Sequence, residues 1–227
     1  ENFRSKKNDS KSLTDNVIWN ITEDQSNNLI VTTKLGFHRF SREDSNFSRK
    51  KIKNLNTGLV EIKTVFQDDN KNFWIGGYET GVYIINESLT RAASLSEKNS
   101  WNLDIVANAL YQIKLIGNNY WLATDNGAYV VSKDYVVKKH YLFNKGEGSA
   151  DNIVRKVEES ATGEIWLATD NGLKIVNAFS DEWFELEEDK SSFLTDNHMF
   201  SLFRDANDSM WIGTLNGIKV YNDITSI

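Results

Sequence analysis

The chain has 227 residues, a formal net charge of −6, and 40% hydrophobic and 12% aromatic residues. That is too apolar for a disordered chain, too acidic for the basic footprint nucleic acid demands, and no run of about eighteen apolar residues could cross a membrane as a helix. With no cysteine and three scattered histidines (His38, His140, His198), disulfides, thiol chemistry and zinc–thiolate sites are excluded and a histidine-rich metal site is not expected.

The elements come in a fixed order that repeats. Residues 2–7, around Phe3, read as a lone strand. From Asn16 a first strand carries inward apolar positions at Ile18 and Ile21, turns through DQSNN, and enters LIVTTKLGFHRF from Leu29; Gly36 opens a third strand ending at Phe40, and a fourth lies around Phe47. The second unit repeats this from Val60: Ile62 and Val65, the turn DDNKN, Trp74, Gly81, a strand ending at Ile85, and Leu95. The third runs from Asn108 through Leu110, Ile113 and the turn IGNN to Trp121, one residue early, then Gly127, Val131 and the strand YVVKKHYLF around Lys139. The fourth runs from Asn152 through Val154, Val157, Trp166, Gly172 and Val176 to Phe184. The fifth runs from Asn197 through Met199, Leu202, Trp211 and Gly217 to Tyr221, and has no fourth strand.

The closing glycines Gly36, Gly81, Gly127, Gly172 and Gly217 are 45, 46, 45 and 45 residues apart, so five units account for the whole chain. Four strands every 45 residues is the period of a β-propeller blade, and no segment has the 3.6-residue periodicity of a long helix. The expected fold is therefore all-β: a β-propeller of five four-stranded antiparallel blades, in one domain over residues 1–227. Residues 2–7 are expected to complete the last blade, because the two ends complement one another; a place within a larger, seven-bladed ring stays open as the other reading. The recurring Trp74, Trp121, Trp166 and Trp211 are expected between blades, where each buries roughly 150–250 Å².

The copies DANDSMWIGTLNGIKVY (Asp205 to Tyr221) and ATGEIWLATDNGLKIV (Ala161 to Val176), with LTDN ahead of a first strand (Leu13–Asn16, Leu194–Asn197), resemble the two-component regulator propeller repeat. The first unit departs from it in lacking the Trp, and the third and fourth carry Ala123 and Ala168 for the motif Gly. The resemblance implies an extracytoplasmic sensor region of a bacterial inner-membrane protein, periplasmic, upstream of a transmembrane helix and a histidine kinase or diguanylate cyclase. It also implies a small-molecule or oligosaccharide ligand. Self-association as a dimer is a further expectation.

One position in the first strand stands apart. It reads Trp19, Lys63, Tyr111, Arg155 and Phe200 while its neighbours keep to type. First strands lie nearest a propeller's channel, so these aromatics and cations are candidates for an axial ring that stacks on a sugar or holds an anion; packing in the channel is the alternative. Asp15, Asn16, Glu79, Asp196 and Asn197 are expected near the same face. The T-x-N-G stretches at Thr124, Thr169 and Thr214 read as turns, with a ligand role for Asp125 or Asp170 as the alternative. DDNKN and DANDS alternate carboxylates like part of a calcium loop but lack its Gly and terminal Glu, and so read as solvated turns. No catalytic set, phosphate loop or cofactor motif is recognisable. A non-enzymatic sensor is expected; the alternatives are a free-standing lectin-like propeller, or a hydrolase or lyase using Glu61 or His198.

Overall fold

The computed structural model describes residues 2–49, 62–78, 81–88, 92–94, 107, 109–146, 148–177, 180, 182–185 and 198–222. The first sheet is β1 (Ile18–Glu23), β2 (Leu29–Thr33), β3 (Gly36–Ser41) and β4 (Asn46–Arg49). The second is β5 (Thr64–Gln67), β6 (Phe73–Gly76), β7 (Val82–Ile85) and β8 (Ala92–Ser94). The third is β9 (Leu110–Ile116), β10 (Asn119–Thr124), β11 (Gly127–Ser132) and β12 (Val137–Tyr141). The fourth is β13 (Val154–Glu159), β14 (Ile165–Thr169), β15 (Gly172–Val176) and β16 (Trp183–Glu185), and the last is β17 (Met199–Arg204), β18 (Met210–Thr214) and β19 (Gly217–Tyr221). Within every sheet, strands neighbour one another in chain order. Consecutive meanders of this kind are the blades of a β-propeller, the all-β class the 45-residue period implied. By chain contacts they fall into two compact units: Glu1–Ile113 with Lys133–Val137, and Lys114–Ser132 with Lys138–Ile227.

The alternation of each strand decides what it buries. In the first unit, Ile30 and Phe37 of the first blade pack against Ile62, Val65, Phe73, Ile75 and Ile85 of the second. In the second unit, Trp166, Ala168, Leu173 and Ile175 of the fourth blade pack against Met199, Leu202, Met210 and Ile212 of the fifth. The rule is the same in both. The face bearing the repeat Trp, or its substitute Ile30, meets the apolar ladder of the following first strand. Trp74 is 0% exposed, whereas Trp211 of the last blade is 40% exposed.

The turns explain why their residues recur. Thr124 and Thr169 each donate their hydroxyl to the carbonyl of the glycine three residues on, at 2.7 Å, and accept the amide of Asn126 and Asn171 at 3.1 Å. Thr214 repeats the pattern. The closing Gly127, Gly172 and Gly217 sit at φ of +84°, +91° and +118°, a region that only glycine enters without strain. The T-x-N-G stretch is thus a threonine-braced hairpin.

The N-terminal residues depart from expectation. Residues 2–7 form no strand beyond one isolated bridge, Ser5 to Leu13. Phe3 instead packs edge-on against Phe40 (4.9 Å) and Phe47 (5.5 Å) of the first blade, and the Ser5 amide donates to Asn16 Oδ1 at 2.7 Å. Three adjoining aromatics make a local contact that Phe3 finds within its own unit. The last sheet has three strands among the described residues.

Candidate functional site

The variable first-strand position is structurally unlike its neighbours. The ladder slips between Ile18 and Asn20, between Val154 and Lys156, and between Met199 and Ser201. The residues left over are Trp19, Arg155 and Phe200. A bulge takes one side chain out of the in–out alternation and re-aims it, so this position escapes the demand for an inward apolar group. The second blade does the same by another count: the Lys63 amide donates to the Gly76 carbonyl at 2.8 Å while Thr64 already pairs with Gly76.

In the first unit these side chains come together. Lys63 Nζ lies 4.4 Å from the Trp19 ring centroid and 3.8 Å from that of Tyr78. Tyr78 in turn meets Tyr111 edge-on, with centroids 5.6 Å apart. Trp19 and Tyr78 are 39% and 43% exposed. An ammonium over two aromatic faces is held electrostatically, by about 0.5–2 kcal/mol per face, and exposed ring surface remains beside it. Such a cluster can stack on a sugar ring and offer a cation to an acidic or hydroxyl oxygen. Sequence reasoning found Trp19, Lys63 and Tyr111 but missed Tyr78. The available signal was length: Trp74 to Gly81 spans seven residues where the other units use six, and Tyr78 lies in that longer loop.

In the second unit the same position is used differently. Arg155 grips Asp170 with both arms, Nε to Oδ1 at 2.7 Å and Nη2 to Oδ2 at 2.6 Å. This bidentate pair gives Asp170 a structural partner in its own hairpin. Phe200 is 45% exposed on β17. Asp15 serves its own loop, its Oδ1 accepting the Val17 amide at 2.7 Å, while Asn16 Oδ1 is taken by the Ser5 amide. Glu61, Glu79, Asp196 and Asn197 lie outside the described residues.

The carboxylates of the alternating turns clamp structure. Asp68 Oδ2 accepts the Trp74 indole N–H at 2.8 Å and the Tyr135 hydroxyl at 2.6 Å, while its Oδ1 accepts the Asn72 amide at 2.9 Å. Burial and the Asp68 carboxylate push the Tyr135 phenol well above its ordinary value of 10.0. Asp205 repeats the clamp, Oδ2 taking the Trp211 N–H at 2.8 Å and Oδ1 the amides of Asn207 and Ser209. Asp24 holds the amides of Ser26 and Asn28 in the first blade, where it pairs with Arg39 in place of a Trp. A solvated turn was expected of DDNKN; Asp68 is fully buried. Among the described residues no group of three His, Cys, Asp or Glu side chains could hold a metal ion, and no helix is long and apolar enough to cross a membrane.

The family model described as two component regulator propeller matches residues 194–216. No curated protein matches the sequence. Among solved structures, the chain is similar to the extracellular domain assigned to the hybrid two component system BT3049 of B. thetaiotaomicron: TM-score 0.74, 19% identity, 97% of this chain and 29% of that one. It is similar to PorZ, an essential surface component of the type-IX secretion system of Porphyromonas gingivalis, at TM-score 0.73 and 17% identity over 90% of this chain and 32% of that one. It is also similar to virginiamycin B lyase of Staphylococcus aureus, at TM-score 0.60 and 13% identity over 92% of this chain and 71% of that one. The chain thus spans about a third or less of the first two. The fold is a β-propeller, and its fifth repeat matches the two component regulator propeller.

Proposed function

We propose that this chain is a non-catalytic, extracytoplasmic ligand-sensing propeller of a bacterial two-component or cyclic-dinucleotide signalling protein. It reads an oligosaccharide through Trp19, Lys63, Tyr78 and Tyr111. The observation that carries the reading is that cluster: three aromatic rings in a chain of contacts around one ammonium, two of them more than a third exposed. The solved likenesses that are extracellular domains of signalling proteins support the location, and the family match supports the linkage to a downstream membrane segment with a histidine kinase or diguanylate cyclase. Ligand binding shifts such a protein only by its differential affinity for two states, with dimerisation as the natural second state.

Among the described residues the cluster is made once. Arg155 and Phe200, at the same repeat position, have other surroundings. A lectin with one site per blade would repeat its binding residues as faithfully as its Trp, so the single cluster favours a single-site sensor. The lyase-like or hydrolase alternative rests on Glu61 and His198. It is tested by turnover of a glycan panel, with loss on Glu61→Gln or His198→Ala. The sensor reading is tested by a thermal-shift screen of neutral and acidic oligosaccharides. One that raises the melting temperature of the native protein and not of Trp19→Ala supports it; a panel without a single hit overturns it.

A further inference from the structure

The third blade breaks the turn clamp in a way the other blades do not. In the second and fifth blades an aspartate six residues before the Trp accepts its indole N–H. In the fourth blade the residue is Ser160, and Trp166 Nε1 is buried with no partner. In the third blade the turn is one residue shorter, and Ile116 stands where Asp68 stands in the second. Among the described residues nothing accepts the Trp121 indole N–H. What replaces the aspartate is space: a cavity of about 380 Å³ lined by Ile116, Asn119, Trp121, Lys139, Tyr141 and Glu159 among others.

The lining has a definite chemistry. Trp121 and Tyr141 lie nearly parallel, 11° apart with centroids 5.6 Å from each other, and Lys139 Nζ sits 4.6 Å over the Tyr141 ring. Lys138 and Glu159 also line the cavity, so its charged lining residues are two lysines and one glutamate. Unlike Trp166 Nε1, Trp121 Nε1 is not a buried orphan; solvent reaches it, and a bound acceptor there would replace water. The cavity falls within the range of small-ligand pockets. We infer that this cavity is a binding site for a small carboxylate of about monosaccharide size. Its carboxylate takes the place of the missing aspartate on Trp121 Nε1, with Lys139 beside it, and its ring rests among the aromatics. The site lies wholly within the second unit and is independent of the Trp19–Lys63 cluster.

The test uses the indole N–H signal of Trp121 in the ¹⁵N-labelled protein, assigned by its disappearance in Trp121→Phe. Glucuronate is the probe and glucose the uncharged control. Glucuronate is expected to shift that one indole signal saturably, while glucose leaves it in place. Ile116→Asp supplies the carboxylate internally and should abolish the response. Lys139→Gln should weaken binding about tenfold, the worth of one charge-assisted hydrogen bond. The inference is overturned if glucuronate gives no saturable shift, if glucose gives the same one, or if Ile116→Asp binds as the native protein does. Should Ile116→Asp fail to fold, an unchanged Kd in Lys139→Gln overturns it alone.

Discussion

The second and third blades are copies of one unit, and their differences are more informative than their likeness. In the second, Asp68 gathers an indole N–H, a phenol and a backbone amide into one buried clamp. In the third, one residue is missing from the same turn, Ile116 replaces the aspartate, and a cavity opens beside Trp121. The second blade in turn carries one residue more between Trp74 and Gly81, and that loop delivers Tyr78 to Lys63. Both candidate sites therefore lie where the repeat changes length. A repeat that packs blade against blade constrains its Trp and its ladder, and leaves the hairpin ends to vary.

Substitutions can break or sharpen this contrast. The largest effect is expected at the clamp. Asp68→Ala strands a buried N–H, a buried hydroxyl and a turn amide, and should cost about 3–5 kcal/mol in urea unfolding. A loss under about 1 kcal/mol would mean that water replaces the clamp. Gly76→Ala comes next. A Cβ there would run into the Leu110 side chain of the following blade, and an overpacked contact of this kind costs about 1–3 kcal/mol. A neutral result would show that the second and third blades can part slightly. Ser160→Asp runs the other way. It offers Trp166 Nε1 the acceptor that Trp74 has, and should raise stability by about 1 kcal/mol; no gain would mean that the clamp depends on its whole turn.

The smallest effect is in alkali. Tyr135 is raised in the folded protein by burial and by Asp68, so the unfolded chain loses its proton first, near 10. Stability from this group is full below that pH and declines as pH rises above it, because the folded state holds a proton the unfolded state has released. The decline between pH 10 and 11, followed by urea midpoints, should be shallower in Tyr135→Phe. An identical slope would remove Tyr135 from the account.

Much of this was legible in the sequence because packing repeats. Trp74 and Trp166 are buried where the 45-residue period put them, and the braced hairpins at Gly127, Gly172 and Gly217 follow from Thr, Asn and Gly alone. The variable position was visible as a break in pattern, but its cause was not: a bulge depends on how two strands register, which a single strand's pattern does not record. The pairing of Arg155 was likewise hidden, because Asp170 lies fifteen residues from it in the chain and competes for it. Phe3 was misplaced for the same reason. Spacing matched it to a fourth strand, whereas its partners Phe40 and Phe47 are contacts only the folded blade brings within reach.

The most direct measurement is calorimetric titration of the best-stabilising oligosaccharide into native protein, Trp19→Ala and Tyr111→Ala, with melting temperatures taken on the same samples. If the cluster is the sensing site, both variants bind about tenfold or more weakly and melt within a few degrees of the native protein. If binding is unchanged, or if melting collapses along with it, the rings are packing and the sensing site lies elsewhere.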